Sequence, residues 1–151
     1  MASYKKRLSY SDNKLSADVA LVSTELRVIW QYQVPKSYKI GVGHNDEGIF
    51  YLNALDTTAA ELADETKLQI RVRDAHNRRI ITVWEGSYKH ANADPTDRMK
   101  KNLLPLARNE RGQIIIAKEG SYIEILAQPP AAKTFDVDAA NVVNLDVTVF
   151  I

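Results

Sequence analysis

Alternation of apolar and polar residues dominates the chain. In residues 24–34, Leu26, Val28, Trp30, Tyr32 and Val34 fall on one face, and Glu25, Arg27, Gln31 and Gln33 on the other. That period of two predicts a strand with one buried side. Pro35 ends it, because proline donates no ladder hydrogen bond, and Tyr38, Ile40 and Val42 restart the pattern after a short bend. A polar turn at 43–48 precedes an apolar run at 49–55, as turn-forming residues between strands do. Residues 67–74 place Leu68, Ile70 and Val72 inward and Lys67, Gln69, Arg71 and Arg73 outward. The turn at 75–78 leads from there into a second arm at 79–84, and the two arms are expected to pair. Residues 113–117 and 122–128 flank Lys118, Glu119, Gly120 and Ser121 and read as a further hairpin. In the last run, Val143, Leu145, Val147, Val149 and Ile151 share a face.

Two stretches depart from this rhythm. Residues 58–65 contain helix formers but are too few for a stable helix, so they read as a crossover loop. Within 90–112, Asp94 suits a helix cap, Pro95 the first helical position, and Pro105 a stop after Arg98, Met99, Lys100 and Lys101. About eight alternating strands with two long excursions predict an all-β fold: an antiparallel β-sandwich, jelly-roll-like, with a short helix in a long loop. An immunoglobulin-like order would use the same strands. The pattern places a boundary near residue 23, with 1–22 as an extended N-terminal arm and 23–151 as the sandwich domain.

Composition narrows the classes of function. With 151 residues and 45% hydrophobic content the chain can build one core unaided. The absence of cysteine excludes disulfides, thiolate metal sites and cysteine nucleophiles. The 20 lysines and arginines nearly cancel the 19 aspartates and glutamates, leaving +1, so no global field points to nucleic acid and self-association meets little repulsion. Lys5, Lys6 and Arg7 are followed by no apolar stretch of the secretory kind, and the apolar runs are too short for a membrane-spanning helix. Synthesis in the cytoplasm, without a membrane partner, is expected.

Candidate chemistry is sparse. His44, His76 and His90 lie in turns or loops and show no metal-ligand spacing, so they read as solvated turn residues. The segment His44, Asn45, Asp46, Glu47, Gly48 half-matches a calcium loop, while Gly41, Val42 and Gly43 lack the rest of a phosphate-cradling motif. Glu85, Asp94, Asp97, Glu110 and Glu119 are carboxylates that a glycosidase would need in pairs, yet each sits among turn formers or cations as surface residues do. No serine stands in a nucleophile elbow. We therefore expect no enzyme, no metal and no cofactor. Trp30 and Tyr32 belong to an apolar face and are expected in the core. Trp84 and Tyr88 are the rings available to stack a sugar.

The segment Tyr4, Lys5, Lys6, Arg7, Leu8, Ser9, Tyr10 mixes cations with rings, a composition suited to docking on nucleic acid or on an acidic protein surface. The order of features, namely this polar arm, the strand at 26–34 followed by Pro35, Lys36, Ser37, Tyr38 and Lys39, the hairpin within 68–84 and the strand-like terminus, resembles that of small viral capsid and decoration (cement) proteins. The resemblance covers layout and carries over no functional residue. It implies a structural protein of the virion, in copies at symmetric positions, usually trimers or other rings, that clamp a major capsid protein or other shell subunits. Under that reading Tyr4, Lys5, Lys6, Arg7 and Tyr10 are candidate partner-binding residues, and 90–112 offers a second contact. The competing expectation is a carbohydrate-binding module with Trp84 and Tyr88 as its platform and the loop at 44–48 beside it.

Overall fold

The computed structural model of the chain describes residues 3–42, 50–54, 62–76, 78–88, 115–138 and 141–150. Along them run β1 (Ser3–Ser9), α1 (Tyr10–Asn13), β2 (Val19–Leu21), β3 (Arg27–Gln33), β4 (Lys39–Val42) and β5 (Phe50–Ala54). There follow β6 (Lys67–Arg73), β7 (Ile80–Ser87), β8 (Ile115–Lys118), β9 (Tyr122–Gln128), β10 (Lys133–Phe135) and β11 (Asn141–Phe150). The helix expected after Asp94, residues 58–61 of the expected crossover and the turn at 43–48 lie outside the described residues.

Strand pairing defines two principal sheets. The first runs β1-β11-β4-β8, with β5 continuing the β4 side of the long β11; the second runs β3-β9-β6-β7. A small third pair, β2 with β10, stands apart from both. Every pairing is antiparallel. When β2, β5 and β10 are set aside, eight strands remain, and their pairing follows one rule. The first lies beside the last (β1 with β11), the second beside the seventh (β3 with β9), the third beside the sixth (β4 with β8), and the fourth beside the fifth (β6 with β7). That is a long hairpin rolled over on itself, the jelly roll, and it excludes the immunoglobulin-like order.

This topology corrects one local expectation. Only β6 and β7 form the hairpin read from the sequence; β8 and β9, expected as a second one, belong to opposite sheets. The turn between them crosses the sandwich, as does the Pro35-containing turn between β3 and β4. The two crossings bond to each other through Val34 N–H to Ser121 O at 2.9 Å and Gly120 N–H to Val34 O at 2.9 Å. Gly120 occupies the turn with φ +79°, a conformation in which a Cβ is costly.

The described part of the segment expected as an extended arm is likewise built into the sandwich. Residues Ser3–Ser9 pair along their whole length with β11, from Ser3 opposite Phe150 to Ser9 opposite Asn144. The register puts Tyr4, Lys6 and Leu8 opposite Val149, Val147 and Leu145, three valines and leucines buried in the core. Directly opposed residues share a sheet face, so this strand presents an inward lysine at a sheet edge, a device that discourages edge-to-edge pairing with other chains. The ammonium of Lys6 rests 5.9 Å from the ring centre of Tyr32 on the edge strand of the other sheet, within cation–π reach.

The core fills the space between the sheets. Ile40, Ala117, Leu145, Val147 and Val149 meet Trp30, Leu68, Ile70, Val72, Val83, Ile123 and Ile125, all buried, and each large apolar side chain removed from water contributes about 1.5–3 kcal/mol. Trp30 and Tyr32 are inside, as their apolar face required, with ring planes 11° apart. The alternation of β3 fails at one point: a register shift between Val28 and Trp30 makes Ile29 and Trp30 both buried, while Val28 turns to the outer face opposite Leu126. An inserted residue of this kind is a β-bulge, which reverses the facing of everything before it.

Candidate functional site

The expected partner-binding residues do not form one patch. Tyr10 begins α1 and is 4% exposed; its hydroxyl donates to Val137 O at 2.8 Å and its ring meets Phe135 edge-on. It ties the end of β1 to the loop before β11 and belongs to the interior. Lys6 faces Tyr32, as above. Tyr4 is exposed at 41%, Arg7 is exposed opposite Asp146, and Lys5 stands opposite Thr148. Register places Arg7 on the outer face of the first sheet, together with Lys39, Lys118 and the exposed Ile116. The position of Lys39 is opposite both Phe150 and Lys118.

The outer face of the second sheet carries a polar network that no sequence motif announced. Gln31, Glu124 and Arg71 stand in one row across β3, β9 and β6. Glu124, on the central strand, is 1% exposed although it points away from the core. Gln31 donates to Glu124 Oε2 at 2.7 Å, Arg71 to Oε1 at 2.9 Å, and Arg73 to the two oxygens at 3.2 and 3.4 Å. The Arg73 guanidinium also covers the ring of Tyr122 at 4.5 Å. Burial alone would push the Glu124 carboxyl up, but the hydrogen bonds from Arg73, Gln31 and Arg71 outweigh it and hold the group below the usual carboxylate value. Pattern reasoning sees Glu124 only as one polar residue alternating with Ile123 and Ile125; its burial depends on cross-strand register.

Three loops meet at the end of the sandwich where β3, β6 and β8 finish. Two adjoining clefts lie there, one lined by Gln33, Val34, Lys36 and Gly120, the other by Ser37, Tyr38, Lys39 and Lys118, and His76 and Glu119 line both. His76 Nε2 is 3.3 Å from Glu119 O, and Ser37 N–H donates to Glu119 Oε2 at 2.8 Å from a left-handed backbone, φ 72°. His76 N–H in turn bonds Asp74 Oδ1 at 2.8 Å. Each turn thus closes on a carboxylate or carbonyl of its own or a neighbouring loop.

The other sequence candidates are dispersed. Glu85 pairs with Lys67 at 2.7 Å and accepts from Gln69 at 3.1 Å; the Lys67 bond, then the Gln69 bond, keep its carboxyl below the usual value. It lies toward the opposite end of the sandwich from Glu119. Asp94, Asp97, Glu110, His44 and His90 fall outside the described residues. Among the described residues no three histidine, aspartate or glutamate side chains gather as a metal site, and no helix is long and apolar enough to cross a membrane. The sugar platform is not assembled: Tyr88 is 4% exposed, and the half-buried Trp84 packs against the core. Trp84 lies across Gly86, where a Cβ would come within 2.6 Å of its ring.

Strand order, the paired crossings and the continuous core between the sheets define a single jelly-roll β-sandwich domain. Its structural neighbours are capsid proteins of bacteriophage P23-77. The VP16-VP17 complex, a complex of that phage's two major capsid proteins, superposes with a TM-score of 0.66 over 99% of this chain and 99% of the matched chain at 7% identity. VP17, a capsid protein of the same phage, gives 0.62 over 99% and 96%, also at 7% identity. Identity this low establishes the shared fold alone. No protein-family model matches the sequence, and no curated protein matches it.

Proposed function

We propose that this chain is a structural protein of a viral particle, a capsid protein that packs against neighbouring shell subunits and acts by binding and assembly, with no catalytic step. The observation that carries the reading is the end-to-end match of a jelly roll to the capsid proteins of a phage, 99% of each chain for the first neighbour. That neighbour is a complex of capsid proteins, which supports shell subunits as the partners of this one. The outer face of the first sheet suits such packing, since exposed Ile116 stands beside the exposed Lys39 and Lys118, a mixture of apolar and charged groups common at protein interfaces.

A shell-building place is favoured by the first neighbour, a complex of two major capsid proteins. A decorating or cement place, with the chain clamping subunits from outside as a trimer or another ring, is the second reading; the loop end with its exposed lysines favours it. One experiment separates them. Particles are produced with and without expression of this chain and sedimented through a density gradient. Failure of particles to form without the chain supports the shell-building place, and intact but less heat-stable particles support decoration. A chain that never sediments with particles would refute both.

A further inference from the structure

We propose that the loop end of the sandwich, around Lys36, Lys39, Lys118 and His76, is a docking site for an acidic polypeptide segment presented by a neighbouring protein. The first ground is charge. The three loops and their flanks, residues 34–39, 74–79 and 118–121, contain Lys36, Lys39, Arg78, Arg79 and Lys118 against Asp74 and Glu119, five cations and two carboxylates, or +3. The whole chain is only +1, so the remainder sums to −2 and this end carries a local positive excess. Fields focused in clefts attract ligands of opposite sign.

The second ground is that four of these five cations carry no acidic partner among the described residues. Both carboxylates are already engaged by backbone donors, Asp74 by His76 N–H and Glu119 by Ser37 N–H. Among the described residues Lys36, Lys39, Arg78 and Lys118 have no acidic partner, unlike Lys14, Arg27, Lys67, Arg71 and Arg73, which pair elsewhere. Lys39 and Lys118 stand directly opposite one another across β4 and β8, both exposed. Like charges in directly opposed positions destabilise a sheet, so the pair weakens the isolated fold and is relieved when an anion bridges it.

The third ground is shape. Two clefts flank the imidazole of His76, so carboxylates spaced along an extended chain have cations on either side of the ring, Lys36 lining one cleft, Lys39 and Lys118 the other. The tyrosine rings at this end are covered: Tyr122 lies under Arg73 and Tyr38 packs half-buried against the core. Single-stranded nucleic acid gains much of its affinity by stacking bases on exposed rings, so the site favours carboxylates on a polypeptide.

The inference rests on the capsid reading only for the setting of the acidic neighbour. The test uses the intact chain in isolation, so absence of the chain from particles would refute that reading and leave this one standing. Fluorescently labelled octaglutamate, and separately labelled octathymidylate, are titrated with the protein at low ionic strength and followed by anisotropy. Octaglutamate is expected to bind saturably and more tightly than octathymidylate, and to weaken as salt is raised. The double substitution Lys36→Glu with Lys118→Glu is expected to weaken it by about tenfold, the size expected for losing two exposed ion pairs. The Lys133→Glu control, on β10 outside the three loops, is expected to leave binding unchanged, with thermal melts confirming that all variants fold. Absence of saturable octaglutamate binding, equal loss in the Lys133→Glu control, or tighter binding of octathymidylate would each overturn the proposal.

Discussion

Replacing Glu124 by glutamine removes one charge from the middle of a sheet face while keeping shape and most acceptor capacity. Two guanidiniums reach this carboxylate, Arg71 at 2.9 Å and Arg73 at 3.2 Å. At an effective dielectric near ~20, unit charges about 4 Å apart attract by roughly 4 kcal/mol, so the two pairs supply about 8 kcal/mol before costs. Burying the carboxylate costs several kcal/mol, and the side chains of Arg71 and Arg73 retain 21% and 37% exposure, which screens both pairs. We expect a net loss of about 2–4 kcal/mol in Glu124→Gln, equivalent to roughly 5–15 °C in Tm for a domain of this size. The pH dependence gives an independent check. The folded carboxyl titrates below its ordinary value of 4.5, so its contribution is fully present above that value and is lost as pH falls through the lowered folded value. The stability gap between wild type and variant should therefore be complete at pH 7 and close in acid. Urea melts of both proteins at neutral and acid pH measure it. A neutral-pH gap below about 1 kcal/mol, the level of an ordinary exposed ion pair, or a gap that persists unchanged in acid, would refute the reasoning.

Three further perturbations test the Trp84 packing, the Tyr10 tether and the terminal strand. Gly86→Ala places a methyl within 2.6 Å of the Trp84 ring and should destabilise by about 1–3 kcal/mol, with a red-shifted tryptophan emission as the indole is displaced; unchanged emission and melting would contradict that packing. Tyr10→Phe deletes the 2.8 Å hydroxyl bond to Val137 O and should cost about 1–3 kcal/mol in urea melts, because a buried carbonyl loses its donor. Deleting residues 1–9 removes β1, strips β11 of one partner and uncovers Leu145, Val147 and Val149 at a sheet edge. That protein should aggregate or lose its cooperative melt, whereas a soluble product melting like the intact chain would show that the segment is a dispensable arm.

The sequence was most informative where one face of a strand is buried and the other wet. The alternation in β6, with Leu68, Ile70 and Val72 against Lys67, Gln69, Arg71 and Arg73, gave both the strand and its facing, and β9 was bounded correctly at residues 122–128. It was least informative at β1. There the inward positions are Tyr4, Lys6 and Leu8, and an edge strand with a lysine turned inward has the composition of a basic tail. Strands β2 and β10 span three residues each, too short for any period to register. The supposed hairpin of β8 and β9 failed for a different reason, since a four-residue turn signal is the same whether the chain returns within one sheet or crosses to the other. The bulge at Ile29 and the burial of Glu124 are both consequences of cross-strand register, which no local pattern encodes. The loop end was visible only in fragments, as His76, Lys36 and Lys118 are far apart in sequence and the fold alone brings their loops together.

If this chain is a component of a viral shell, its copy number in the particle is fixed, and that number can be measured. Intact particles purified by gradient from cultures that produce the chain would be digested and quantified by mass spectrometry against isotope-labelled peptides from residues 67–88 and 122–138. The chain, as a shell component, is expected in every particle preparation at a fixed ratio to the other shell proteins, set by the symmetry of the shell. Its absence from intact particles, or an amount that varies from preparation to preparation and washes away with salt, would contradict it.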